Sequence, residues 1–68
     1  MEPATIKDYV NEVERMIAHY EKAKADLMEG CKKDPLDISL NIVRYLRINE
    51  ASAVLIALRE VRNMFPSA

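Results

Sequence analysis

The sequence predicts an all-α protein that folds as an antiparallel helical hairpin. Of the 68 residues, 50% are hydrophobic and 31% are charged, which is typical of a globular chain. Only one glycine is present, and no segment alternates apolar and polar residues between turn residues as a strand does. Two apolar stripes at helical spacing are instead separated by a short polar segment. We therefore expect a single domain of two helices, spanning residues 1–68.

The first helix is predicted over residues 6–29. Thr5 is followed three residues later by Asp8, the spacing of a capping box, and Gly30 suits the positive φ at a helix C-terminus. The apolar stripe advances by alternating steps of four and three, which predicts a heptad seam against another helix. Its members are Ile6, Val10, Val13, Ile17, Tyr20, Lys24, Leu27 and Cys31.

The second helix is predicted over residues 35–65, with Asp34 as its N-cap, Pro35 at its first position and Pro66 beyond its end. The segment between the helices is about four residues long, a length that favours antiparallel neighbours. A break near 48–49 is possible because Asn49 could cap a new helix, but the apolar period does not reset there. The predicted row is Leu36, Leu40, Val43, Leu46, Ala51, Val54, Leu58, Val61 and Phe65.

Six consecutive apolar residues, from Ala53 to Leu58, surround the second helix in its C-terminal half. A helix that is apolar all round requires cover on every side, and one partner helix cannot provide it. Small domains also depend on cross-links, metals or association for stability. Because Cys31 and His19 are the only residues of their types, we expect no internal disulfide and no His–Cys metal site. The sequence therefore predicts a homodimer that forms a four-helix bundle.

No set of catalytic residues is apparent. His19 has no carboxylate one turn away that could orient it as a general base. Cys31 is expected to fill a small apolar space at the end of the bundle. The acidic residues are expected on the outer face. No glycine-rich phosphate loop is present. We expect no enzyme activity, cofactor or metal.

Localisation is predicted to be cytoplasmic, without contact with a membrane. Met1-Glu2-Pro3-Ala4 has neither the basic start nor the apolar core of a leader, and no apolar run approaches the roughly 18 residues of a membrane span. A lone thiol also fits a reducing compartment.

We expect the chain to act as a regulator, inhibitor or adaptor that binds itself and another protein through an apolar surface of the second helix. The alternative is a nucleic-acid-binding regulator of the plasmid or phage type, although the net charge of −1 provides no general attraction for phosphates. The predicted protein interface consists of Tyr45, Ile48, Ser52, Val54, Leu55, Ile56, Leu58, Arg59 and Arg62. The alternative nucleic-acid contacts are Arg44, Arg47, Arg59 and Arg62.

Overall fold

A computed structural model describes residues 4–66, which form two antiparallel helices joined by a short turn at residues 34–37. Helix α1 is Ile6–Lys33 and helix α2 is Ile38–Met64, and no strand occurs within the described range. The predicted all-α hairpin is confirmed. It is a rod with extents of 51 × 22 × 17 Å. The expectation about a leader falls mainly on Met1 to Pro3, which lie outside the described residues.

The predicted start of α1 is confirmed. The Thr5 hydroxyl accepts a hydrogen bond from the Asp8 amide at 3.2 Å, and the Asp8 carboxylate accepts one from the Thr5 amide at 2.8 Å. These reciprocal bonds satisfy two backbone donors that have no partner within the helix. The hydrogen bond that the Thr5 amide donates, together with the Thr5 hydroxyl, also lowers the pKa of Asp8 below its ordinary value of 3.8.

The predicted end of α1 at Glu29 is wrong, since the helix continues through Gly30 to Lys33. Gly30 does not have a positive φ, and its carbonyl accepts a hydrogen bond from the Asp34 amide at 3.1 Å. A β-carbon on Gly30 would stand 2.9 Å from Nε of Arg44. Gly30 therefore does not form the helix end, and a side chain at this position would require the guanidinium of Arg44 to move.

The predicted N-cap of α2 is also wrong. Asp34 is the C-cap of α1, and the N-cap of α2 is Asp37, whose carboxylate accepts a hydrogen bond from the Leu40 amide at 3.1 Å. Because α1 uses the chain as far as Lys33, Pro35 lies in the turn between the helices. The prediction of one continuous helix is confirmed, since α2 runs through Asn49 without a break.

The core between the helices is small and lies mainly in the half of the hairpin away from the turn. Val13, Ile17 and Leu55 form its buried cluster, and Tyr20 and Leu58 pack against them. In α1 the predicted heptad stripe faces α2, because every member from Val10 to Cys31 is buried or half-buried. Only the first member, Ile6, is exposed.

In α2 the predicted apolar row faces the core only in its C-terminal half. Toward the turn, Leu36, Leu40, Val43 and Leu46 are all exposed and do not face α1. The inward positions there are Asn41 and Arg44. They form a polar network with the turn, which is why apolar periodicity did not reveal the inward face.

Three hydrogen-bonding groups make up this network. The side-chain amide of Asn41 donates a hydrogen bond to the Asp34 backbone carbonyl at 2.7 Å. The Arg44 guanidinium donates one to the Asn41 side-chain oxygen at 2.8 Å. The Arg44 guanidinium also lies 3.7 Å from the Asp34 carboxylate. The turn end of α2 is thus polar toward α1 and apolar toward solvent, the reverse of an ordinary surface helix.

Candidate protein-interaction surface

The turn end of α2 exposes large apolar side chains on nearly every outward side. Leu36 is 92% exposed, Ile38 is 72% exposed and Tyr45 is 62% exposed. Isolated exposed apolar residues are ordinary, whereas a contiguous group of this kind is typical of a binding surface. We call this group the turn-end apolar surface; it comprises Leu36, Ile38, Leu40, Ile42, Val43, Tyr45 and Leu46.

The stretch from Ala53 to Leu58, predicted to be the main interface, divides between the core and the surface. Leu55 is only 3% exposed and belongs to the core of the hairpin, so it is removed from the predicted interface. Val54 and Leu58 are half-buried. Ile56 is 59% exposed and remains available to a partner. Most of the unpartnered apolar surface therefore lies nearer to the turn than the sequence indicated.

The sequence also predicts a second apolar row on α2, which consists of Ile38, Ile42, Tyr45, Ile48 and Ile56. Ile48 is half-buried and lies off the side of the helix that the other four share. A row that includes Asn49 and Ser52 instead has positions separated by four, three, four, three and four residues, so its members share one side of the helix. We call the row the isoleucine seam; it consists of Ile38, Ile42, Tyr45, Asn49, Ser52 and Ile56. Sequence reasoning missed Asn49 as a member because it is polar.

Two shallow hollows lie beside the isoleucine seam. One, of about 260 Å³, lies near the turn and is lined by Cys31, Ile38, Ile42 and other residues. The second, of about 360 Å³, is lined by Met28, Ile56 and neighbouring residues of both helices. Each hollow combines side chains of α1 and α2. This is the geometry into which a side chain from a neighbouring helix can insert.

A third groove lies between the helices on another side of the hairpin. Its volume is about 580 Å³, and small or apolar side chains such as Ala23, Leu27 and Val54 line it. Four charged residues also line it: Asp26, Arg44, Arg47 and Glu50.

Three of the four arginines proposed as nucleic-acid contacts form ion pairs within the chain. Arg59 lies 3.1 Å from Glu21, and Arg62 lies 2.6 Å from Glu14. The Arg44 side chain is only 18% exposed because it turns inward to Asp34 and Asn41. Arg44 therefore does not point outward, as an arginine that contacts a phosphate would. The other two arginines connect α2 to α1.

Neither the single histidine, His19, nor the single cysteine, Cys31, lies in a cluster of reactive groups. Cys31 is half-buried beside the turn-end hollow, and the ring of His19 lies edge-on to Tyr20, with centroids 5.4 Å apart. Within residues 4–66, His, Cys, Asp and Glu form no group of three that could hold a metal ion. In the same range neither helix has an apolar stretch of the length that crosses a bilayer.

Comparisons of the chain with models of protein families, with curated proteins and with solved structures each found no match.

Proposed function

We propose that the chain is a non-enzymatic protein–protein interaction module, a cytoplasmic regulator, inhibitor or adaptor that works as a homodimer. The observation that carries this proposal is the turn-end apolar surface, where large side chains surround a helix whose inward side is polar. Folding of one chain leaves this surface in water. Association with a second helical surface would remove it from water, which is the main favourable term in protein association.

The total accessible area supports self-association. The chain exposes 5596 Å², whereas a folded monomer of 7.8 kDa exposes about 4400 Å². The excess, about 1200 Å², is larger than the roughly 800 Å² that each partner contributes to a standard protein interface. The radius of gyration, 15.8 Å, is likewise larger than the roughly 11 Å of a compact domain of this length.

The module would work by occlusion or scaffolding, in which its surface covers part of another protein. Tyr45 and Ile56 remain the exposed anchors of the predicted interface. Arg59 and Arg62 would contribute at the rim, where arginine is common in interfaces, with Glu21 and Glu14 beside them. Ser52 and Ile48 are half-buried next to these anchors.

A variant of Ile56 tests this proposal. Ile56→Lys places a charge on an exposed position and should weaken self-association without unfolding the hairpin, as measured by light scattering and circular dichroism. Leu55→Lys serves as the comparison, because a charge in the core should unfold the chain. An unchanged dimer in Ile56→Lys, or a monomeric wild type, would contradict the proposal.

Nucleic-acid binding is tested in parallel. Titration with duplex DNA and RNA at low and raised salt should give no binding, because ion pairs already engage Arg44, Arg59 and Arg62. Binding that weakens steeply with salt and is lost in Arg47→Ala would favour the alternative function.

A further inference from the structure

We infer that the partner on the isoleucine seam is a second copy of this chain, packed antiparallel with α2 against α2 about a two-fold axis level with Arg47. This inference rests on the proposed self-association and adds the surface, the orientation and the register.

The register follows from the symmetry of the isoleucine seam about its centre. In an antiparallel pair with its axis level with Arg47, Ile38 faces the partner's Ile56, because both residues are nine positions from the centre. Ile42 then faces the partner's Ser52, and Tyr45 faces the partner's Asn49. Each of these facing pairs occurs twice, once on either side of the axis, as an isologous interface requires. The pair of Ile38 and the partner's Ile56 lies at both ends of the interface.

The two hollows fit this arrangement. One lies beside Ile38 and Ile42, and the other lies beside Ser52 and Ile56. The two-fold axis therefore places the first hollow of one copy opposite the second hollow of the other copy. Ile56 of one copy would insert beside the partner's Ile38 at the turn-end hollow. Ile38 would enter the partner's other hollow in return. This is knobs-into-holes packing between neighbouring helices.

The centre of the seam is polar, and this favours a defined register. Tyr45, Asn49 and Ser52 supply two hydroxyl groups and one amide, all able to donate and accept hydrogen bonds. In the proposed register Tyr45 and Asn49 meet across the axis. A polar residue in a helical seam costs stability but penalises shifted pairings, which leave its groups without partners.

The seam is a better place for a second copy than the larger groove on the other side. Ile38, Tyr45 and Ile56 are each more than half exposed, whereas Ala23, Leu27 and Val54 in the groove are already half-buried. A helix in the groove would also remove water from Arg44, Arg47, Asp26 and Glu50, and the desolvation of charges opposes binding.

Two variants of α2 locate the interface. Ile42 and Val61 are both β-branched and are 55% and 39% exposed, but they point about 100° apart on α2. Ile42→Lys should raise the dimer dissociation constant at least about tenfold, because a charge would enter the seam. Val61→Lys, outside the seam and the turn-end apolar surface, should leave the dimer nearly unchanged, and circular dichroism should show both variants folded. A dimer that Ile42→Lys leaves unchanged would place the second copy elsewhere.

A pair of double variants tests the orientation. Ile42 and Ser52 are about 15 Å apart along one helix, so new charges there cannot pair within a chain. In an antiparallel dimer, Ile42→Lys with Ser52→Glu brings opposite charges together across the interface, whereas Ile42→Lys with Ser52→Lys brings like charges together. Sedimentation equilibrium should therefore give a dissociation constant at least about tenfold lower for the first variant.

Equal dissociation constants for the two double variants would overturn the antiparallel register even if the wild type is a dimer. A wild type that is monomeric throughout would instead overturn the proposed self-association itself. The two failures are therefore distinguishable.

Discussion

The guanidinium of Arg44 lies where a side chain on Gly30 would begin, since a β-carbon there would be 2.9 Å from Nε and 3.1 Å from Cζ of Arg44. Gly30 is inside α1, where glycine costs about 1 kcal/mol relative to alanine. A side chain at this position would gain helix propensity but would require the guanidinium of Arg44 to move. The arginine in turn joins Asn41 and Asp34 in the network at the turn.

A double-mutant cycle measures this relationship. In the Arg44→Ala background, Gly30→Ala should raise the free energy of unfolding by about 1 kcal/mol, the gain in helix propensity. In the wild-type background the gain should be smaller or absent, because the new methyl group displaces Arg44 from Asn41. Urea denaturation at a fixed protein concentration provides both values. The same gain in both backgrounds would show that Arg44 does not occupy this space.

Adjacent residues of α2 should have different effects on stability. Leu55 is in the core, so Leu55→Ala should lower the free energy of unfolding by about 2–5 kcal/mol at any protein concentration. Ile56 is exposed, and Ile56→Ala should chiefly reduce the dependence of stability on concentration, because its contacts belong to the dimer. Denaturation at two protein concentrations separates the effects. Similar, concentration-independent losses would argue against an interface at Ile56.

The start of α2 can be tested at two aspartates. Asp37→Ala should cost about 1 kcal/mol because it removes the acceptor for the Leu40 amide. Asp34→Ala should cost less than about 0.5 kcal/mol, since the exposed Asp34 carboxylate is 3.7 Å from Arg44 and its hydrogen-bonding backbone groups remain. Thermal unfolding of both variants gives the comparison. A larger loss at Asp34 would restore it as the N-cap.

Acid should loosen the first turn of α1. Hydrogen bonds from the Thr5 backbone and side chain hold the pKa of Asp8 below 3.8, so the folded-state pKa is lower than that of the unfolded chain. Its contribution to stability is therefore fully present above pH 3.8 and is lost as the pH falls through the folded-state pKa. NMR titration of the Asp8 carboxyl group should give a midpoint below 3.8, and Thr5→Ala should raise it. A midpoint at or above 3.8 in the wild type would contradict the capping box.

Sequence periodicity was informative wherever two apolar faces meet. The stripe from Val10 to Cys31 lies against α2 as predicted, and the capping box at Thr5 is local enough to be recognised from spacing alone. The end of α1 was different. Gly30 is an ordinary helix terminator in sequence, but in the structure it lies inside the helix beside the guanidinium of Arg44.

The candidate surface was harder to predict because it too depends on tertiary contacts that no local sequence pattern shows. At the turn, Asn41 and Arg44 occupy the inward positions and hydrogen-bond to each other and to the turn. Leu40 and Val43 are therefore exposed. No local pattern distinguishes an apolar row that faces its own chain from one that faces a partner. Tyr45 and Ile56 kept their predicted exposure, whereas Leu55 did not.

Sedimentation equilibrium of the wild-type chain, over about a hundredfold range of concentration, tests the central claim most directly. The claim is that a second copy covers the exposed apolar side of α2. We predict that the average mass rises with concentration from the monomer value of 7.8 kDa toward twice that value, or remains at the dimer value throughout. A mass that stays at 7.8 kDa over the whole range would contradict the claim.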